Sequence, residues 1–252
     1  SRTGEAKIAP LRKGVVCRFA FVGGLTRGKG MRELLEAAAA LKDDGVRFEL
    51  LIAGPRGGPD EPNWEEHVRL VGLEQDVSFV GIVTGAAKAE LFASADCLVL
   101  PSHVEGLPIV ILEAAAANLA VIATDVGSVG ELLSIAERGG AVREICPLVP
   151  PRDAVALAEQ MSRLALDGEL RREMGGRLRD HVAAHFSADI QVERLTRLYA
   201  SILSCGIEHR PIREAGPPDV GRRGPRPQSG PTILPSIRRP TAVRAVLAAE
   251  LR

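Results

Sequence analysis

Two carboxylates, Glu105 and Glu113, stand eight positions apart in the stretch VLPSHVEGLPIVILEAAAANLAVIAT, Val99 to Thr124. The first lies in a short polar loop with His103 and Gly106, between an apolar strand that stops at Pro101 and a helix opened by Pro108. The second lies about five residues into that helix, roughly 7.5 Å along its axis at the standard rise. Paired carboxylates suit acid–base work, or the acceptance of hydrogen bonds from hydroxyls. On a helix otherwise made of Ile, Val, Leu and Ala, a lone carboxylate is conspicuous. Gly106 permits unusual backbone angles, and Pro108 suits a first helical turn because no N–H is needed there. Free N–H groups around Gly106 and Leu107 would face a phosphate or a sugar hydroxyl at the helix start. His103 could assist an acid–base step or hydrogen-bond the loop, and the loop role is favoured.

A second loop, GGLTRGKG (Gly23 to Gly30), offers small residues that let backbone N–H groups approach a ligand, with Lys29 at the helix start. That suits an anionic phosphate through the helix dipole and a point charge. Its spacing matches neither the Walker loop nor the dinucleotide fingerprint, so an ordinary strand-to-helix turn is an equal reading. A third loop, Gly81 to Gly85, follows another strand. Further along, Gly127, Ser128, Gly130 and Glu131 form a turn into a helix in which Glu131 reads as a dipole or capping residue. Asp125 and Glu90 read as solvated.

Elements of regular period must position these loops. Strands are expected at Val15–Val22, Phe48–Ala53, Val77–Val80, Asp96–Leu100 and Leu119–Ala123, with weaker strand character in Ala141–Val149. Between them lie helices starting near Met31, after Asn63 and after Thr84, besides the one at Pro108. Asp153–Leu166 and Ser187–Leu203 are amphipathic, joined by a charged helical segment. In the last helix Val192, Leu195, Tyr199, Ile202 and Leu203 are expected to form a buried stripe. Strands alternating with long crossovers argue an α/β fold: one doubly wound parallel sheet, Rossmann-like, with helices after it. Ligands of such sheets bind beyond the carboxyl ends of the strands, where all three loops can meet.

The expected division is a linker over residues 1–14, a Rossmann-like domain over 15–204 and a disordered tail over 205–252. That last stretch is rich in Pro, Gly and Arg and has too little apolar period to offset chain entropy. Across the 252 residues, 46% apolar content is ample for a core, while only 3% aromatics leaves packing to Leu, Val, Ile and Ala. Formal charge is zero, which argues against nucleic acid as a partner. The four cysteines (Cys17, Cys97, Cys146, Cys205) are far apart and read as reduced thiols rather than a zinc site. No metal ligand is assigned. No long apolar window suggests a membrane span, so the expected location is cytoplasmic, with peripheral contact at the inner face of the membrane left open.

Taken in order, these motifs resemble the carboxyl-terminal, donor-binding half of retaining GT-B glycosyltransferases, the group that includes glycogen synthases and mannosyltransferases. PSHVEGLPIVILEA resembles the family's paired-glutamate signature, and FVGGLTRGKG its glycine–lysine loop. LIAGPRG, VSFVGIV, ADCLVLPS and VIATDVGSVGELL fit around them, and the likeness runs from about Val15 to Leu203. The resemblance implies that Glu113 binds the ribose of a nucleotide-sugar and that Glu105, the catalytic position, contacts the donor sugar near the reacting bond. It implies that Gly106, Leu107 and Pro108 place backbone donors on sugar or diphosphate, and that Lys29 neutralises the leaving diphosphate. Ile82 and Val83 would sit by the base, with Gly23, Gly24 and His103 in the donor site. No cofactor is implied beyond the donor substrate, a UDP- or GDP-sugar.

Two departures stand out. Gly24 occupies the place of an arginine that would make a bidentate phosphate contact, which a lysine cannot reproduce. Arg27 is the neighbour that could swing in. Asn118 and Ala120 replace the usual Gly and Pro between helix and strand. The resemblance also implies an acceptor domain before this half, supplied by a missing N-terminal domain or a separate subunit. Rival readings are a non-catalytic nucleotide-sugar-binding module, with Gly24 marking a decayed phosphate site, and, more weakly, a nucleotide-sugar epimerase.

Overall fold

The computed structural model describes Gly14 and residues 16–136 and 142–204. The expected tail over 205–252 and nearly all of the expected linker lie outside the described residues. The elements run β1 (Cys17–Val22), α1 (Met31–Asp43), β2 (Phe48–Ala53), α2 (Trp64–Leu70), β3 (Val77–Gly81), α3 (Gly85–Ser94), β4 (Cys97–Leu100), α4 (Ile109–Ala116), β5 (Ala120–Thr124) and α5 (Val129–Leu133). There follow β6 (Ser134–Ala136), β7 (Val142–Glu144), β8 (Leu148–Val149), α6 (Ala154–Leu166), α7 (Gly168–His185) and α8 (Ala188–Ser204).

Six strands form one parallel sheet in the order β3-β2-β1-β4-β5-β8. The strands are short apolar runs; every residue of β2, β4 and β5 is buried, as a sheet covered on both faces requires. Alternate residues feed two cores. Phe19, Phe21, Leu50 and Ile52 pack with α1, α2 and α6 on one face. Ala20, Leu51, Leu98 and Val121 pack with α3, α4 and α5 on the other. The helices therefore change face where the strand order reverses, between β1 and β4. Open parallel sheets bind their ligands in the crevice beyond the carboxyl ends of the strands at such a switch point.

Local chemistry sets the helix ends. Asn63 caps α2, accepting the Glu66 N–H at 3.2 Å. Gly45, at φ 77°, ends α1 with a left-handed turn in which the Val46 N–H reaches back to the Leu41 carbonyl. Asn118 does the same for α4 at φ 62°, with the Leu119 N–H on the Ala114 carbonyl. Asparagine is the side chain that best tolerates this conformation, so the departure from glycine is structural. Arg18, the one charge inside β1, faces Glu49 in the cross-strand register and is joined to it at 2.6 and 2.8 Å, both side chains being about nine-tenths buried.

Two expectations are revised. The weak strand region divides: β7 pairs antiparallel with β6 outside the main sheet, and β8 is the edge of the main sheet. The expected buried stripe of α8 is exposed, from 39% at Ile202 to 79% at Leu203, with Val192, Leu195 and Tyr199 between. Amphipathic period fixes which side of a helix is apolar, but it does not say that the same chain covers it. Among the described residues no helix is long and apolar enough to cross a membrane.

Candidate functional site

All three loops read from the sequence leave carboxyl ends of parallel strands: Gly23–Gly30 from β1, Gly81–Gly85 from β3 and Pro101–Pro108 from β4. The first and third flank the switch point and are joined closely. Gly30 sits at φ 71°, and a Cβ there would lie 2.0 Å from the Pro101 carbonyl oxygen, so only glycine permits the approach. The His103 N–H donates to the Gly28 carbonyl at 2.9 Å. Lys29, in a single 3-10 turn ahead of α1, donates from Nζ to Glu105 Oε1 at 2.6 Å. Glu105 is only 10% exposed and Lys29 34%, so this pair is sheltered beyond the ends of β1 and β4. The structure thus brings Lys29 and Glu105 together.

Glu105 is braced from behind. The Ser128 N–H donates to the Gly106 carbonyl at 3.1 Å, and a Cβ on Gly127 would lie 2.0 Å from the Glu105 carbonyl oxygen. The Thr124 hydroxyl donates to the Ser102 carbonyl, tying the end of β5 to the same loop. These contacts fix the backbone of the loop that carries the carboxylate.

Pro108 takes the N-cap position of α4, with extended backbone angles. Having no N–H, it cannot be a backbone donor, which corrects that part of the expected donor set. Its carbonyl accepts the Ile111 N–H at 3.0 Å. The N–H groups of Gly106, Leu107, Ile109 and Val110 find no acceptor among the described residues and stand at the positive end of the helix. Val104, Leu107 and Ile109 are exposed apolar side chains around this loop.

Glu113 is the fifth residue of α4 and is one-third exposed, neither solvated nor sealed. It accepts a hydrogen bond from Lys88 Nζ, in the first turns of α3. His103 is mostly buried, with Nε2 3.1 Å from Glu33 Oε1 on α1 but not aligned as a hydrogen bond. Lys88 and Glu33 were both missed by reading the sequence. A signal existed: Lys88 precedes the buried Leu91 and Phe92 by three and four positions, and Glu33 precedes the buried Ala37 by four, so each charge lies on an inward helix face.

Of the pair expected near a base, Ile82 is exposed and Val83 packs in the core, so Val83 can offer only backbone there. Ile82 lines a cavity of about 400 Å³ with Leu25, Ile52, Phe79, Arg56 and Glu65, beyond the ends of β1, β2 and β3. Arg56 pairs with Glu65 at its rim. Gly24 has an ordinary φ and open space, its nearest neighbour for an added Cβ being Thr26 at 3.9 Å, so a larger residue would fit. Arg27 does not fill that space: its guanidinium donates to the Asp60 carbonyl at 2.9 Å. Gly23 is bonded to β2 through the Ala53 carbonyl at 3.0 Å.

The buried cysteines offer no nucleophile. Burial pushes the Cys17 thiol up to about 12 and the Cys146 thiol to about 11, and raises Cys97 as well. A thiol in that state attacks nothing at neutral pH. Among the described residues no group of three or more His, Cys, Asp or Glu could hold a metal. A separate cavity of about 710 Å³, beyond the end of β5, is lined by Asp125, Glu131, His181, His185 and Arg194. Burial lowers the pKa of His181 there.

Residues 17–167 match the family model for glycosyl transferases group 1. The alpha-D-kanosaminyltransferase of Streptomyces kanamyceticus is 30% identical over 182 residues, 72% of this chain and 45% of that protein. The crystal structure of the C-terminal domain of a glycosyl transferase group 1 family protein from Francisella tularensis superposes with a TM-score of 0.59 at 25% identity, covering 68% of this chain and 87% of that one. The Anabaena HepE structure in complex with UDP and glucose superposes at 0.61 with 20% identity, covering 75% of this chain and 49% of that one, a likeness of fold. The chain spans less than half the length of the curated relatives it matches.

Proposed function

The chain belongs to the group 1 glycosyl transferases, and from that membership we propose that it is the donor-binding half of a GT-B enzyme. It binds a nucleotide-diphosphate sugar and transfers the glycosyl group, with retention, to an acceptor held by an N-terminal domain or a partner subunit. One observation carries this reading: Lys29, Glu105 and the unpaired N–H groups at the start of α4 converge at the switch point of the sheet.

Each part has a task. Lys29 has three N–H donors and gives one to Glu105, so the same ammonium can bridge that carboxylate and a diphosphate oxygen. The helix start adds backbone donors to the departing charge. Glu105 accepts from the donor sugar near the reacting bond, and Glu113 accepts from the ribose. Ile82 and the cavity beside it take the base. The fold is shared with HepE, whose structure is a complex with UDP and glucose. In a thermal-shift assay, a UDP- or GDP-sugar is expected to raise the melting temperature and Glu113→Ala to abolish the rise. No shift with any nucleotide-sugar would sink the proposal.

A second reading is favoured by one specific observation, the open space at Gly24 with Arg27 held elsewhere. In it the chain binds nucleotide-sugars without transferring them. Gly24→Arg should then tighten donor binding markedly. Tight binding by the natural sequence, together with transfer when an acceptor half is co-expressed, rejects it.

A further inference from the structure

Lys88 enters the site through a carboxylate rather than through a loop. It lies three positions into α3, just after the loop that carries Ile82, and its backbone N–H reaches the Thr84 carbonyl at 3.4 Å. Its ammonium donates to Glu113 Oε1 on α4, across the gap between two helices of the same layer. Lys88 is 28% exposed and Glu113 33%, so the pair is half-sheltered at the edge of the crevice. Lys29, the cation of the glycine-rich loop, is engaged with the other carboxylate, Glu105.

A glutamate on an apolar helix has three side-chain torsions, and ordering them costs entropy on ligand binding. An ammonium bound to one oxygen removes much of that freedom beforehand. Oε2 and the remaining lone pair of Oε1 stay free to accept from two adjacent hydroxyls. Hydrogen bonds to an ionised acceptor are roughly twice as strong as neutral ones. We infer that Lys88 is a positioning residue that sets the Glu113 carboxylate for the vicinal hydroxyls of ribose, and so makes this site discriminate ribonucleotides from deoxyribonucleotides. The inference rests on the proposed role of Glu113.

Calorimetric titration of the full chain with UDP and GDP, each beside its 2′-deoxy and 3′-deoxy counterparts, tests it. The natural sequence is expected to prefer the ribonucleotide about 10- to 100-fold, the range for a hydrogen bond to a charged group. Lys88→Ala should cut that preference about fivefold or more while leaving deoxynucleotide affinity and melting temperature nearly unchanged. Lys88→Arg, which keeps the charge, should restore it. A merely structural lysine would change stability and not the ribose preference. Equal weakening of ribo- and deoxynucleotide by Lys88→Ala makes the lysine a phosphate contact and overturns the inference. An unchanged or increased ribose preference in that variant overturns it too. Glu113→Ala separates the two layers: if it leaves the preference intact, the ribose role of Glu113 fails and the inference with it. If it abolishes the preference while Lys88→Ala does not, only the inference falls. Absence of any nucleotide binding to the natural sequence removes both.

Discussion

Replacing Gly30 by alanine should damage the site more than the fold, and Gly45→Ala provides a matched control. The two glycines have nearly equal backbone angles, φ 71° and 77°. Each alanine therefore carries the same left-handed penalty, about 1–2 kcal/mol. They differ in space. A Cβ at Gly45 meets nothing within 4 Å, whereas at Gly30 it lies 2.0 Å from the Pro101 carbonyl oxygen and 2.6 Å from its carbon. Reaching 3.4 Å, the near edge of ordinary contact, requires the two loops to part by about 1.4 Å, and such overpacking adds about 1–3 kcal/mol. Gly30→Ala should thus cost about 2–5 kcal/mol in urea unfolding, or about 4–20 °C in melting temperature, against about 2–8 °C for Gly45→Ala. The same displacement separates Lys29 from Glu105, and a misplacement of 1 Å can cost on the order of a hundredfold in a reaction. Nucleotide affinity, measured calorimetrically, should fall about tenfold or more in Gly30→Ala and stay level in Gly45→Ala. Equal affinities in the two variants would refute the claim that the close approach of these loops builds the site.

Two other outcomes follow from buried charge. Glu49→Ala leaves the Arg18 guanidinium in the sheet without that carboxylate and should lower stability by about 3–5 kcal/mol, while Arg18→Met with Glu49→Leu should recover most of it; urea midpoints for the three proteins decide. For His181, burial holds the folded pKa below the ordinary 6.5, so above that pH neither state is protonated and stability is flat. As pH falls through 6.5 the unfolded chain takes up the proton first, and stability declines until the folded pKa is passed. His181→Phe should flatten that limb of the stability–pH curve, and an unchanged limb assigns it to another group.

Much of the fold was legible because largely apolar strands, most of them ending at glycine or proline, alternate with helical periods long enough for crossovers, which points to a parallel sheet. Arg18 interrupts the apolar run of β1; pairing with Glu49 explains it, but cross-strand register is not written in either segment alone. The paired glutamates were legible from spacing and from the apolar helix around Glu113. Their lysine partners are a different matter, since Lys29 lies 76 positions from Glu105 and Lys88 25 from Glu113. Which cation meets which carboxylate depends on strand order. The stripe on α8 was read correctly as apolar and wrongly as buried, because sequence period carries no information about a cover.

The reversal of strand order at β1 and β4 also governs when the molecule acquires its chemistry. β1 can pair with β2 as soon as both have been made, but its other edge waits for β4, held by an Arg18 N–H to Asp96 contact that spans 78 positions at 2.7 Å. Contacts of such long sequence separation are slow to form. Until they do, β1 presents an unpaired edge, the kind that templates aggregation. The switch point therefore lies at the strand pairing with the longest separation in sequence. A chain stopped short of Cys97 would carry the whole glycine-rich loop and none of the carboxylate it serves.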